Sequence, residues 1–130
     1  MQDTQDREFA LFIADTLAEK KAHDITILDV GNLVGYAGYF VVCAGRSDRQ
    51  VKALADWVQR HSRDAVQRRP IGVEGVERGQ WALLDYGDVV VHVFREQERA
   101  FYDLDGLWED APRVPWTPPP EPPRTAGTPA

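Results

Sequence analysis

The sequence predicts an α/β (α+β) fold, with a mixed β-sheet of about five strands flanked by helices. Apolar residues recur at helical spacing from Phe9 to Lys21 and again from Val51 to Val66. The run Tyr39–Ala44 is continuously apolar, which is typical of a central strand covered on both faces. The stretch Gln80–Phe94 places β-branched and aromatic residues on both sides of Gly87, which is typical of a β-hairpin.

The first helix is predicted to start near Asp6 and to end by Ala22. Its apolar stripe consists of Phe9, Phe12, Ile13 and Leu17. A short strand follows at Asp24–Val30, and residues 31–38 are predicted as a loop before the central strand.

The second helix has a clear start signal. Ser47 and Gln50 form a capping box in which Ser47 is the N-cap, and Asp48 suits the positive end of the helix dipole. The helix is predicted to end before Pro70. Residues 71–79 hold three glycines, so they are predicted as a loop with one short edge strand at 71–73.

A third helix is predicted from Glu96 to Leu104, followed by the apolar Leu107 and Trp108, and it completes a domain of residues 1–110. Beyond this domain lie eight of the nine prolines, all within the last nineteen residues. Such a stretch cannot form a core, so residues 111–130 are predicted as a proline-rich, extended and mobile tail.

Composition and charge argue against several classes of function. A net charge of −6 argues against a phosphate-backbone binder, so no sequence-specific nucleic-acid partner is expected. Eight acidic residues against two arginines between Asp85 and Asp110 suit a basic partner. No apolar run reaches the length of a membrane span, the acidic N-terminus is unlike a targeting peptide, and Cys43 is alone. A cytoplasmic protein without membrane attachment is expected.

The hairpin holds the candidate partner site. With Tyr86-Gly87 as the loop, three cross-strand pairs are predicted, namely Asp85 with Asp88, Leu83 with Val90, and Trp81 with His92. The opposite face is purely apolar and must be core; it carries Ala82, Leu84, Val89, Val91 and Val93. Facing carboxylates repel each other, and an external cation would relieve them. The alternative is that Trp81 is half-buried core and the aspartates only solvate a turn.

The sequence contains little that indicates a catalytic or metal-binding site. The three histidines His23, His61 and His92 lie in different elements, so no metal and no cofactor is expected. The turn Gly45-Arg46-Ser47 resembles the Gly-Ser turn of nucleotidyltransferases, but the converging carboxylates that such enzymes need are missing. We therefore expect no enzyme. An active nucleotidyltransferase that uses Ser47 stays open as an alternative, as does an adaptor that works through the Pro-x-x-Pro spacing of Pro115 and Pro118.

Several segments together resemble the Iojap/RsfS family of ribosomal silencing factors. They are Asp24-Ile-Thr-Ile-Leu-Asp-Val, Tyr39-Phe-Val-Val-Cys-Ala-Gly-Arg-Ser with Arg49-Gln50-Val51, Glu74-Gly75, Trp81-Ala-Leu-Leu-Asp-Tyr-Gly-Asp-Val-Val-Val-His92, Arg99, Phe101-Tyr102-Asp103-Leu104 and Leu107-Trp108. The likeness covers roughly Phe9 to Trp108 and leaves out the proline-rich tail. It departs at Gly38, where the family usually has Asp before the aromatic pair.

The resemblance implies a nucleotidyltransferase-like sheet without the active site. It implies binding to ribosomal protein L-fourteen of the large subunit, a steric block of subunit joining, lowered translation when nutrients are scarce, and a homodimer when free. The family's contact surface maps onto Trp81, Asp85, Tyr86, Asp88 and His92. Leu83 shares the predicted face, and Arg99 and Tyr102 are expected at its edge.

Overall fold

The structure of the protein, a computed structural model, describes residues 2–35, 37–102 and 109–119. In chain order the elements are α1 (Gln2–Glu19), β1 (His23–Asp29), α2 (Gly31–Val34), β2 (Tyr39–Gly45), α3 (Asp48–Val66), β3 (Gly72–Glu74), β4 (Trp81–Asp85), β5 (Val89–Arg95) and α4 (Glu96–Tyr102). The predicted order is confirmed, and the one-turn helix α2 is an addition within the predicted loop. Residues 103–108, which include the predicted end of the third helix, Leu107 and Trp108, lie outside the described residues.

The five strands form one mixed sheet in the order β1-β2-β5-β4-β3. The neighbours β2 and β5 are parallel, whereas the other three pairs are antiparallel. The two central strands are buried almost throughout: all seven residues of β2 are buried, as is all of β5 except Arg95. The predicted fold class is therefore confirmed. Among the described residues, no helix is long and apolar enough to cross a lipid bilayer.

The two faces of the sheet are covered differently. The long helices α1 and α3 pack on one face, where their apolar stripes meet alternate residues of the central strands, such as Val41, Cys43, Val91 and Val93. The other face carries a smaller cluster of Leu28, Val30, Ala37, Phe40, Val42, Val90, Phe94 and Ala111, with Trp81 and Leu83 at its margin. Since β4 contributes side chains to both clusters, its two faces have different surroundings.

The long helix α3 begins and ends where local chemistry dictates. The Gln50 backbone N–H donates to the Ser47 Oγ (3.1 Å), and the Gln50 side-chain carbonyl accepts from the Arg46 N–H (2.6 Å), which confirms the predicted cap. At the other end Gln67 adopts a left-handed conformation (φ 55°), which ends the helix three residues before Pro70.

Part of the predicted tail is packed against the sheet. The Asp29 N–H donates to the Pro112 carbonyl (2.8 Å), and the Val114 N–H donates to the Ile27 carbonyl (2.9 Å). The expectation of a mobile tail therefore does not describe these residues. The physical reason is that β1 is an outer strand with unpaired backbone groups, and an extended proline-containing segment suits an edge position.

Side chains hold the same segment in place. Ala111 and Val114 are buried, each in one of the two apolar clusters. The Trp116 Nε1–H donates to the Asp15 carboxylate on α1 (2.8 Å), which ties the segment to the first helix. The boundary between residues 110 and 111 stays a prediction, but residues 111–116 contribute to the packing of the domain.

A chain that ends at residue 110 should be less stable than a chain that ends at residue 119. It loses the burial of Val114 and two backbone hydrogen bonds, which together contribute roughly 2 kcal/mol to the free energy of unfolding. Urea denaturation of both chains measures the difference. Equal unfolding midpoints would show that the segment is dispensable for stability.

Candidate functional site

The observed hairpin register differs from the predicted one by two residues. Asp85 pairs with Val90, Leu83 with His92, and Trp81 with Phe94. The Tyr86 N–H donates to the Val89 carbonyl (2.9 Å), so the loop consists of Gly87 and Asp88. The predicted facing pair of Asp85 and Asp88 is therefore wrong, and so is the cross-strand repulsion inferred from it.

A local hydrogen bond stabilises the observed turn. The Asp85 carboxylate accepts from the Gly87 N–H (2.8 Å), which forms a tight Asx-type turn, and Gly87 takes a φ of 94° that favours glycine. Because side chains alternate along a strand, a shift of two residues keeps every strand residue on its predicted face. The apolar face is confirmed: Ala82, Leu84, Val89, Val91 and Val93 are all fully buried.

The opposite face of β4 carries a row of partly exposed side chains. Trp81, Leu83 and Asp85 follow one another there, spanning about 13 Å along the strand. The neighbouring edge strand adds Glu74, which pairs with Leu83 and is exposed. We call these four residues, together with the exposed Asp88 of the turn, the β4 strip. Its indole lies at one end of β4 and Asp85 at the other.

Glu74 was not among the candidate residues obtained from the sequence. The three glycines of residues 71–79 hid the register of the edge strand, which runs from Gly72 to Glu74 rather than from 71 to 73. The sequence does contain a signal for the side on which Glu74 lies, because Gly72 and Glu74 alternate with the apolar Val73. In the part of the chain that the structure describes, neither Glu74 nor Asp85 takes part in an ion pair. The strip is therefore acidic and apolar.

Position 38 lies beside this acidic end. Gly38 occupies that position, and its N–H donates to the Asp88 carbonyl (2.7 Å), as does the Tyr39 N–H (3.0 Å). A carboxylate at position 38 would stand next to the turn, because a Cβ there would lie 3.4 Å from the Asp88 carbonyl oxygen. Gly38 therefore leaves the turn without the carboxylate that the resemblance leads us to expect at this position.

Trp81 is held from within the sheet. Its ring stacks on Phe94, with centroids 4.7 Å apart, and its Nε1–H donates to the Nδ1 of His92 (3.2 Å). Since an indole N–H can only donate, His92 must be unprotonated at Nδ1 and carry its proton on Nε2. Among the described residues, the buried Nε2 has no hydrogen-bond partner, which costs about 1–3 kcal/mol.

His92 itself is only 5% exposed, so it does not present a contact surface of its own. Burial lowers its pKa from 6.5 to about 4, because the apolar surroundings disfavour the charged imidazolium. The ring is therefore neutral near pH 7, which keeps Nδ1 available as an acceptor for Trp81.

Tyr86 lies on the other side of the hairpin and has a structural role. It is 5% exposed, its hydroxyl shares a hydrogen bond with the Ser62 Oγ (2.8 Å), and Phe9 packs edge-on against its ring. Burial raises the pKa of Tyr86, and the Ser62 hydrogen bond partly offsets that rise. The expectation that Tyr86 shares the contact face is not what the structure has. The residue fastens the turn to α3 and α1.

Of the two expected edge residues, Arg99 has a described contact at the far side of the sheet. Arg99 on α4 donates from Nη1 to the Asp24 carbonyl near the start of β1, the strand at the opposite edge of the sheet. The side chain of Tyr102 lies outside the described residues. The role of Tyr102 at the edge of the strip therefore stays a prediction.

No catalytic arrangement emerges around Ser47 in the described structure. Its Oγ is engaged as the N-cap of α3, and no group of three or more His, Cys, Asp or Glu among the described residues is placed to hold a metal ion. Cys43 is fully buried, and burial raises the pKa of its thiol to about 12.

Acid should destabilise the wild-type chain more than a His92→Asn variant. Asn keeps an acceptor near the position of Nδ1 but does not titrate. Between pH 6.5 and about 4 the unfolded chain binds a proton at position 92 that the folded chain excludes, so stability falls by roughly 3 kcal/mol as pH decreases through this window. Urea unfolding of both chains at about pH 7 and about pH 4.5 measures the difference. Parallel pH profiles would contradict the buried neutral histidine.

Comparisons with known proteins identify relatives of this chain. Residues 3–129 match the model of the family described as "ribosomal silencing factor during starvation". The chain is 44% identical over 97 residues to a protein named ribosomal silencing factor RsfS from Bacillus subtilis, an alignment that covers 72% of this chain and 79% of that one. It is 33% identical over 111 residues to the chloroplastic protein Iojap of Zea mays, covering 84% of this chain and 47% of that one.

Solved structures agree with these sequence relations. A crystal structure of a Chromobacterium violaceum protein superposes with a TM-score of 0.73 at 38% identity, covering 84% of this chain and 88% of that one. A crystal structure from Bacillus halodurans gives the same TM-score at 33% identity, covering 84% and 98%. The fold, the hairpin segment and the match over residues 3–129 lead to one conclusion: this chain belongs to the RsfS family of ribosomal silencing factors.

Proposed function

We propose that the chain binds the large ribosomal subunit through ribosomal protein L-fourteen and sterically blocks joining of the two subunits. Translation is thereby lowered when nutrients are limiting. The β4 strip is the docking surface in this proposal. The observation that carries it is the half-buried Trp81 in a row with Leu83 and Asp85 on a strand paired on both sides, with the exposed Glu74 of β3 beside Leu83 and the exposed Asp88 in the turn.

The chemistry of the strip suits a basic protein surface. Trp81 and Leu83 provide apolar area, and a half-buried aromatic ring on a rigid support is a typical anchor of protein interfaces. Glu74 and Asp85 have no intramolecular ion pair within the described structure, so Lys or Arg side chains of a partner can pair with them. Charges of this kind mainly raise the association rate and fix the orientation of the partner.

A steric mechanism needs no chemistry from the bound protein. A domain of this size on the face of the large subunit that meets the small subunit is sufficient to keep the subunits apart. We therefore propose a non-enzymatic, cytoplasmic factor that acts without a cofactor and forms a homodimer when free. The nucleotidyltransferase alternative is weakened because the Ser47 hydroxyl caps α3. Residues 112–114 run along β1 with Val114 buried, but Pro115 and Pro118 are exposed, so the adaptor alternative stays open.

Replacing Trp81 with Ala should weaken binding to isolated large subunits by roughly thirtyfold, the equivalent of losing an anchor of about 2 kcal/mol. The same variant should fail to deplete joined particles. Co-sedimentation with large subunits and sucrose-gradient profiles of mixed subunits measure the two effects.

Trp57→Ala is the matched control. Trp57 is also half-buried, but it lies on α3, on the opposite face of the sheet, and stacks on His61 at 4.9 Å. This variant should bind and inhibit like the wild type. Circular dichroism establishes that both variants are folded. A folded Trp81→Ala protein that co-sediments like the wild type would refute the proposed docking surface.

A further inference from the structure

The contact between Trp81 and His92 is more polar than the packing of this face requires. The imidazole lies among apolar rings, with Phe40 edge-on at 4.7 Å and Phe94 at 6.3 Å between centroids. An apolar ring of similar size would fill this space without leaving a buried N–H unpaired among the described residues. The imidazole therefore contributes more than packing volume. Its Nδ1 is a hydrogen-bond acceptor that lies 3.2 Å from the Trp81 Nε1.

A hydrogen bond to the indole nitrogen fixes what stacking leaves free. The stack on Phe94, at 4.7 Å and 30° between planes, restrains the plane of the Trp81 ring. A rotation of the Trp81 ring by half a turn about its Cβ–Cγ bond would keep the stack, because the ring plane is unchanged. It would exchange the edge that carries the nitrogen with the all-carbon edge. The bond to His92 is directional, so it holds the nitrogen-bearing edge inward and turns the opposite, all-carbon edge away from the imidazole.

We infer that His92 is a positioning residue for partner binding, whose unprotonated Nδ1 holds Trp81 in a single orientation before the partner arrives. The inference rests on the proposed function of the β4 strip and adds a residue that acts through the anchor rather than by contact. Fixing a side chain in its bound orientation reduces the entropy lost on association. It also accounts for a buried histidine on a strand that is otherwise apolar up to Arg95.

Two substitutions separate positioning from packing. His92→Phe fills the site but removes the acceptor. His92→Asn keeps an acceptor near the position of Nδ1 in a smaller side chain. Nitrogen-15 NMR of the free full-length chain reports the Trp81 indole N–H, which Trp81→Ala assigns, while the indoles of Trp57 and Trp116 serve as internal references.

In the Phe variant the Trp81 indole N–H should shift upfield and exchange faster with solvent, and affinity for isolated large subunits should fall roughly five- to tenfold, the worth of about one hydrogen bond. The Asn variant should restore the indole resonance and most of the affinity. Thermal unfolding should show that the Phe variant is at least as stable as the wild type.

A Phe variant with wild-type affinity would overturn the positioning role, as would an unchanged indole resonance. If the Phe variant does not fold, the Asn variant decides: an intact indole signal together with lost binding contradicts the inference. A different result would contradict the proposed function, namely a Trp81→Ala variant that binds large subunits like the wild type. The NMR measurement on the free chain still tests whether His92 holds the indole in that case.

Discussion

The pairing of β4 between β5 and β3 is the constraint on which the proposed site depends. It places Leu83 opposite His92 on one side and opposite Glu74 on the other. Moving the β4–β5 ladder by one residue would turn Trp81, Leu83 and Asp85 into the helix-covered core and expose Ala82 and Leu84 instead. Moving the β3–β4 ladder by one residue would turn Glu74 to the other face. The strip therefore exists only because two registers agree. The buried residues on the apolar face, Ala82 and Leu84, hold β4 in that register.

The register is secured from the face opposite the strip. Tyr86 is anchored by Ser62 and Phe9, and Arg68 donates to its carbonyl oxygen (3.3 Å), so the turn is tied to α1 and to the end of α3. The long helices thus stabilise the strip without contributing to its surface. Tyr86 can therefore fix the position of the proposed site although it is buried and out of reach of a partner.

Much of the fold could be predicted because the signals are local and strong. The apolar run Tyr39–Ala44, the Ser47 cap and the alternation of Ala82 and Leu84 each determine an element or a face without tertiary information. The loop of the hairpin could not be predicted in the same way. Tyr86-Gly87 and Gly87-Asp88 both suit a two-residue turn, and the choice depends on the packing of Tyr86 against Ser62, which is distant in the chain.

Packing between distant segments also limited what could be predicted of the site. The exposure of Glu74 depends on which residue of β3 pairs with Leu83, and glycines carry no side-chain pattern that would reveal it. The proline content of the tail concealed the burial of Val114, because the edge strand that receives it lies far away in the sequence. The mistaken Asp85–Asp88 pair still assigned Trp81, Leu83 and Asp85 to the side of β4 that they occupy, since an even shift conserves sidedness.

Hydroxyl-radical footprinting of the chain, free and bound to isolated large subunits, tests the docking surface most directly. Oxidation at Trp81 and Leu83 should fall severalfold in the complex, while Trp57 on the opposite face stays as reactive as in the free protein. Protection of Trp57 together with unchanged oxidation of Trp81 would contradict the assignment of the β4 strip as the surface that meets the ribosome.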